Sequence, residues 1–149
     1  MLFQHNNVGL FQFISRHFLS KPHFFSTISS SPRLNKTSCI QYLKSCESMT
    51  HLKQIQTQIF RVGLHQNHDT LNKLMVFCTD PYLGNLHYAE KIFSYIQNPS
   101  LFIYNVLIKA FAKKGSFRKA ISVFGQLRKH GLWPDNFTYP YVFKAIGCL

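Results

Sequence analysis

Along residues 101–135 the apolar positions recur with a helical period. Tyr104, Leu107, Ile108 and Phe111 stand at i, i+3, i+4 and i+7, which places them on one helix face. Gly115 breaks that helix, and Ser116 is placed to N-cap the next. Phe117, Ala120, Ile121, Phe124 and Leu127 then mark a second apolar face. Gly131 suits the position just past a helix end, and Pro134 prevents continuation. The pattern predicts an antiparallel helical hairpin in which each helix has one apolar face that it cannot cover alone.

The same grammar recurs upstream. Ala89, Phe93 and Ile96 lie 31 residues before Ala120, Phe124 and Leu127. Ile55, Ile59 and Gly63 lie 68 residues before Val123, Leu127 and Gly131, twice a 34-residue period. Hairpins are therefore expected at about 37–63, 69–97 and 101–131. Downstream, Phe137-x-Tyr139 and Val142-Phe143-Lys144-Ala145 repeat Phe102-x-Tyr104 and Leu107-Ile108-Lys109-Ala110. Self-similarity of this kind is the signature of a solenoid, because stacked neighbours cover each other's apolar faces. The expected fold is all-α, an α-solenoid of stacked helical hairpins with repeats at 37–67, 68–100, 101–135 and 136–149. The last has only its first helix, so Tyr139, Val142, Phe143 and Ile146 are expected to be exposed.

The amino-terminal segment differs in kind. Residues 1–46 contain no acid, many phenylalanines and a serine cluster ending at Pro32. Val8–Leu19 places Leu10, Phe11, Ile14 and Phe18 on one helical face, with Arg16 and His17 turned away from its centre. This composition fits an organellar transit peptide at 1–33 without a fixed tertiary position. The arginine within an amphipathic segment favours mitochondrion, with chloroplast as the alternative. No run of about 18 apolar residues occurs, so no membrane insertion is expected.

Charge narrows the chemistry. Seventeen Lys and Arg against five Asp and Glu give +12 with His neutral, a balance that suits polyanions. Glu47, Asp69, Asp80, Glu90 and Asp135 are scattered, which argues against acid/base catalysis by paired carboxylates. Cys39, Cys46, Cys78 and Cys148 show no C-x-x-C spacing, and the histidines form no metal grouping. No metal, cofactor or enzymatic activity is expected. From Lys91 to Pro134 there are eight Lys and Arg and no acid.

The 101–135 segment carries Tyr104-Asn105-x-Leu107-Ile108, Phe111-x-Lys113-x-Gly115, then Ala120, Phe124, Leu127, Gly131 and Pro134-Asp135. That pattern resembles a pentatricopeptide repeat, the plant organellar RNA-binding repeat. The tetratricopeptide repeat has a similar period but would want a Trp/Leu-Gly-x-x-Tyr opening. The flanks LHYAEKIFSYIQNP and DNFTYPYVFKA resemble the P-L-S subclass, and LKSCESMTHLKQIQTQIFRVGL its degenerate first repeat. The resemblance covers about residues 37–149. It implies sequence-selective binding of single-stranded organellar RNA, as part of an RNA-processing or C-to-U editing factor with other such proteins as partners. The chain stops at Leu149 inside a repeat and lacks the H-x-E and C-x-x-C motifs of editing members. The resemblance therefore implies the amino-terminal part of a longer protein, or a truncated product. A helical-repeat scaffold for protein–protein interaction is the alternative.

Carried over residue by residue, the resemblance assigns base recognition to Asn105 and Asp135 and is similar to a reader of uridine or, less strictly, pyrimidine. Asn supplies a donor and an acceptor, and Asp can accept a hydrogen bond and orient the amide. Phe102 and Phe137 would pack on base faces, or else pack between helices. Lys113 matches a position near the RNA backbone, and Lys109 lies one turn before it on the same side. Upstream, Asn72 and Ser100 form a weaker pair across an apparent insertion at 79–83. Pro140, at the fifth position of the last unit, offers no donor.

Overall fold

The computed structural model describes residues 35–149, and the expected leader lies outside them. Among the described residues there are seven α-helices and no strand. They are α1 Lys36–Lys44, α2 Met49–Arg61, α3 His68–Cys78, α4 Leu86–Phe93, α5 Leu101–Lys113, α6 Phe117–Lys129 and α7 Tyr139–Gly147. The fold is an all-α helical-repeat solenoid. By internal packing the chain divides after Lys73 into two compact units.

Short polar side chains start the helices. Asn35, Ser48, Asn67, Asn85 and Ser100 each accept a hydrogen bond from the backbone N–H three residues on, satisfying a donor the helix cannot use. Three helices stop at glycines with positive φ: Gly63 (75°), Gly115 (76°) and Gly131 (72°). At each the next residue's N–H reaches back five residues, Leu64 to Ile59, Ser116 to Phe111 and Leu132 to Leu127. This is the Schellman closure, and its left-handed residue favours glycine.

Within the first unit α1 packs on α2, burying Cys39, Leu43, Leu52 and Ile59. Within the second, α4 packs on α5, α5 on α6, and α7 on both α5 and α6. The densest part is α5, where Ile103, Tyr104, Leu107, Ile108, Phe111 and Ala112 are all buried. Tyr104 is its pin. Its ring meets Phe93 of α4 edge-on at 5.2 Å, and its hydroxyl shares a 2.5 Å hydrogen bond with Nδ1 of His130 after α6.

Four expectations change. The buried stripe of α6 is Ala120, Val123 and Leu127, while Phe117, Ile121 and Phe124 flank it half-buried. The stripe is turned because α6 serves two neighbours, α5 and α7. Ser116 holds the N-cap position of α6 but makes no capping bond through its side chain. It is also the residue that closes α5, and its backbone is committed there. Val142 is buried, since the inner face of α7 lies on the preceding hairpin; Tyr139, Phe143 and Ile146 are exposed. Finally, the last helix of the hairpin expected at about 69–97 ends at Phe93, beyond which Tyr95 and Ile96 form tighter i−3 bonds before Pro99.

Candidate nucleic-acid interface

Asn105 is half-buried on α5, and Asp135 begins the turn that leads into α7. Thirty residues apart in sequence, they meet directly: Asn105 Nδ2 donates to Asp135 Oδ1 at 3.0 Å. The same carboxylate oxygen accepts the backbone N–H groups of Phe137 and Thr138, each at 3.0 Å. Burial pulls the Asp135 carboxyl upward, but bonds from Thr138, Asn105 and these two backbone amides outweigh it and hold the pKa below the ordinary carboxylate value. Asp135 is thus fixed as an anion that takes hydrogen bonds and gives none.

The third member of this cluster is Thr138, which is fully buried. Its hydroxyl oxygen lies 2.6 Å from Asn105 Oδ1, 2.9 Å from Asp135 Oδ1 and 3.1 Å from the Asp135 backbone nitrogen. Sequence reasoning missed it, because a lone threonine among aromatic residues carries no signal of its own. A signal existed elsewhere: Asn67 and Thr70 stand 68 residues before Asp135 and Thr138.

On the neighbouring face of α5 a groove of about 640 Å³ opens against the end of α3, the 80–84 loop and the start of α4. Phe102, Val106, Lys109, Lys113 and Lys114 project into it from α5. Asn105 does not itself line the groove, but it is one helical turn from both Phe102 and Lys109, which do. Phe102 is 47% exposed, enough for a flat ligand to lie on. The one carboxylate in the groove wall, Asp80, accepts from the backbone N–H groups of Leu83 and Tyr82, which lower its pKa. Three lysines against this one bonded acid leave the groove positive.

The other candidates are placed differently. Phe137 stands exposed beside the cluster, tied in by its backbone amide, and does not line the groove. Lys109 also lies over the ring of Tyr141, 5.9 Å from its centroid, which steadies it toward α7. Lys119 is paired with Glu90 at 2.7 Å, and Arg128 stacks over Trp133. Pro140 falls in the first turn of α7, where its missing N–H costs no helix bond. Among the described residues no group of His, Cys, Asp and Glu could hold a metal, and no helix is long and apolar enough to cross a membrane.

The PPR repeat family model matches residues 99–147, the span that contains the whole Asn105–Asp135–Thr138 cluster. Three Arabidopsis thaliana proteins named as containing pentatricopeptide repeats align over much more of the chain. One is 38% identical over 69% of this chain and 17% of its own length. The second, named as mitochondrial, is 34% identical over 74% of this chain and 17% of its length. The third, named as chloroplastic, is 29% identical over 83% of this chain and 17% of its length. The chain belongs to the pentatricopeptide-repeat family. It spans about a sixth of the length of these relatives. In this pentatricopeptide-repeat chain, then, one repeat brings together an amide, a carboxylate and a basic, partly aromatic groove.

Proposed function

We propose that this chain binds single-stranded RNA in an organelle and reads one pyrimidine, uridine first, with Asn105 oriented by Asp135. The observation that carries the reading is the 3.0 Å bond between those two side chains. With the Thr138 hydroxyl on Oδ1 as well, Asn105 is left with one amide hydrogen and one acceptor lone pair to offer a base edge. Phe102 supplies a face for stacking, worth about 1–3 kcal/mol per base in single-strand binders. Lys109, Lys113 and Lys114 supply affinity for phosphate without regard to sequence. Phe137 extends the stacking surface from the next unit.

The wider reading follows the relatives. Their repeats and the organelles in two of their names support an organellar role. The likeness of the flanks at 86–99 and 135–145 to the P-L-S subclass supports a place within an RNA-processing factor of that type, C-to-U editing included. The acid-poor, basic residues 1–33 support import, into the mitochondrion first and the chloroplast second. Other RNA-processing or editing proteins would be its partners. The role is binding, not catalysis.

The test is binding of this chain to oligo(U), oligo(C) and oligo(A), with an acidic peptide as control, across a salt series. Affinity should fall steeply with salt. Lys113→Ala should weaken all three RNAs alike and flatten the salt slope by about one. Asn105→Ala should erase base preference with little loss of affinity. Preference for the peptide over every RNA would replace the reading with a protein-interaction scaffold.

A further inference from the structure

The cluster contains one group more than a two-residue reader needs. Asn105 could be held by Asp135 alone, yet the Thr138 hydroxyl lies closer to it than the carboxylate does, at 2.6 Å against 3.0 Å. A hydroxyl has one proton, so its destination decides what it does. Asp135 Oδ1 already accepts three N–H donors, from Asn105, Phe137 and Thr138. The Asp135 backbone N–H donates to the hydroxyl oxygen at 3.1 Å. Two acceptors lie within reach of the hydroxyl proton, Asn105 Oδ1 at 2.6 Å and Asp135 Oδ1 at 2.9 Å; the first is nearer, and the second already takes three N–H donors. Full burial of Thr138 excludes water as a competitor.

We infer that Thr138 is a positioning residue that locks the orientation of the Asn105 amide and so sets the choice between uracil and cytosine. The inference rests on the proposed reading of a pyrimidine by Asn105. Its chemistry is that of the two bases. Uracil presents an N3–H donor between two carbonyl acceptors. Cytosine presents an N3 acceptor beside an N4 amino donor. An Asn amide held one way offers its donor and acceptor in the order that fits O4 and N3–H of uracil. Rotated by half a turn in the same place, it offers the order that fits N4 and N3 of cytosine. Asp135 resists that rotation from the nitrogen side, because it would bring the amide oxygen against a carboxylate. Thr138 resists it from the oxygen side by donating to Oδ1. Thr138 is the N-cap residue of α7, so the lock is carried by the unit that follows the reading repeat.

The upstream copy of the motif separates this role from plain capping. Thr70 is likewise buried, and its hydroxyl and backbone N–H both bond to Asn67 Oδ1 at 3.3 Å. The position 68 residues before Asn105 is Thr37, which has no amide to orient. Thr70 is thus a control with the local bonds and without a reader.

The experiment compares affinity of the full chain for oligo(U) and oligo(C) of equal length, in wild type and in Thr138→Val, Thr138→Ser and Thr70→Val. Each is melted by circular dichroism first. Wild type should prefer oligo(U), and Thr138→Val should cut the U-to-C ratio by about three- to tenfold, the worth of one hydrogen bond. Thr138→Ser keeps the hydroxyl and should keep the ratio. Thr70→Val should lower the melting temperature and leave the ratio untouched. An unchanged ratio in Thr138→Val, a lost one in Thr138→Ser, or an equal drop in Thr70→Val would overturn the inference and leave the pyrimidine reading standing. A Thr138→Val chain that does not fold would make the residue a folding element and overturn it too. A wild type without base preference, unaltered by Asn105→Ala, would instead remove the reading beneath it.

Discussion

The α1–α2 hairpin and the α5–α6 hairpin are built with the same local devices. Each is entered through a capping Asn or Ser, at Asn35 and at Ser100. Each second helix ends at a left-handed glycine, Gly63 and Gly131, followed by Leu with the same long backbone bond. Four residues after those glycines stand Asn67 and Asp135, each bonded to a buried threonine three residues on. The hairpins differ in what faces that turn. On α5 it meets Asn105, whereas the α1 counterpart is Thr37, exposed and without an amide. The turn is therefore a structural joint that both of these hairpins use, and a candidate reading site arises only where a helix adds an amide to it. Two substituted positions, Thr37 for Asn105 and Asn67 for Asp135, separate the hairpin that stacks from the one that brings an amide and a carboxylate together.

The largest test of this parallel is the helix seam. Leu52 and Ala120 are 68 residues apart, and both are fully buried. At Ala120 the small side chain lets α6 approach α5. Ala120→Glu would strand a charge in that seam, and an uncompensated buried charge costs about 3–5 kcal/mol. Melting should show the second unit unfolding or its midpoint falling by tens of degrees, while Leu52→Ala costs about 2–5 kcal/mol through the cavity it leaves. An unchanged melt for Ala120→Glu would mean the wrong face has been assigned to α6.

The glycine joints come next. An added Cβ at Gly63 or Gly131 meets nothing within 4 Å, so only the left-handed backbone penalises it. Gly63→Ala and Gly131→Ala should each cost about 1–2 kcal/mol. Equal costs, read from denaturant midpoints, sustain the parallel; a difference well beyond 1 kcal/mol breaks it. Gly84 makes a useful contrast, since a Cβ there would sit 2.5 Å from the Cys78 and Phe77 carbonyl oxygens. Gly84→Ala must move backbone and should cost more than either joint.

These joints were legible from sequence because they are local. Gly63, Gly115 and Gly131 each follow a helical apolar pattern, and no tertiary knowledge is needed to place a left-handed residue there. The periodicity of α5 was equally plain, because that helix is buried along most of its length. Less legible was anything set by a second neighbour. Val123 rather than Phe124 enters the seam of α6 because α7 also packs there. Val142 is buried for the same reason from the other side. Thr138 escaped notice since its meaning lies in Asn105, 33 residues away. Asn105 and Asp135 themselves stood out through family resemblance, not through any property of an Asn on a helix or an Asp in a turn.

The third test uses the one chemical difference between the two joints, amide against carboxylate. Asp135 is held below its ordinary value near 3.8, so it titrates lower in the folded chain than in the unfolded one. A depressed acid contributes stability above the unfolded value and loses it as pH falls through the folded value. The second unit should therefore weaken as pH drops below about 4. Asp135→Asn should remove that part of the slope, while Asn67, an amide already, gives the first unit none from its joint. Asp69 and Asp80 are also lowered, by Lys36 and by backbone N–H groups respectively, and their shares remain in the Asp135→Asn chain. An acid limb identical in both proteins would show that the carboxylate is not held as the bond pattern implies.

The smallest effect belongs to the ion pairs, one in each unit among the described residues. Lys36 meets Asp69 at 2.5 Å and Lys119 meets Glu90 at 2.7 Å, with all four side chains about half exposed to water. Exposed pairs give about 0–1 kcal/mol, because water screens the attraction and two long side chains lose freedom. Asp69→Asn and Glu90→Gln should each shift the melting midpoint by no more than a few degrees, and less at high salt. The second change has a further consequence. It frees Lys119, whose ammonium also lies 5.6 Å from the centroid of the Phe111 ring, and adds one uncompensated cation to an already basic unit. If nonspecific attraction to RNA is set by net charge near the groove, Glu90→Gln should tighten binding to every oligonucleotide slightly while Asp69→Asn does less. Equal gains from both would mean that total charge, not the groove's own lysines, governs the electrostatic part.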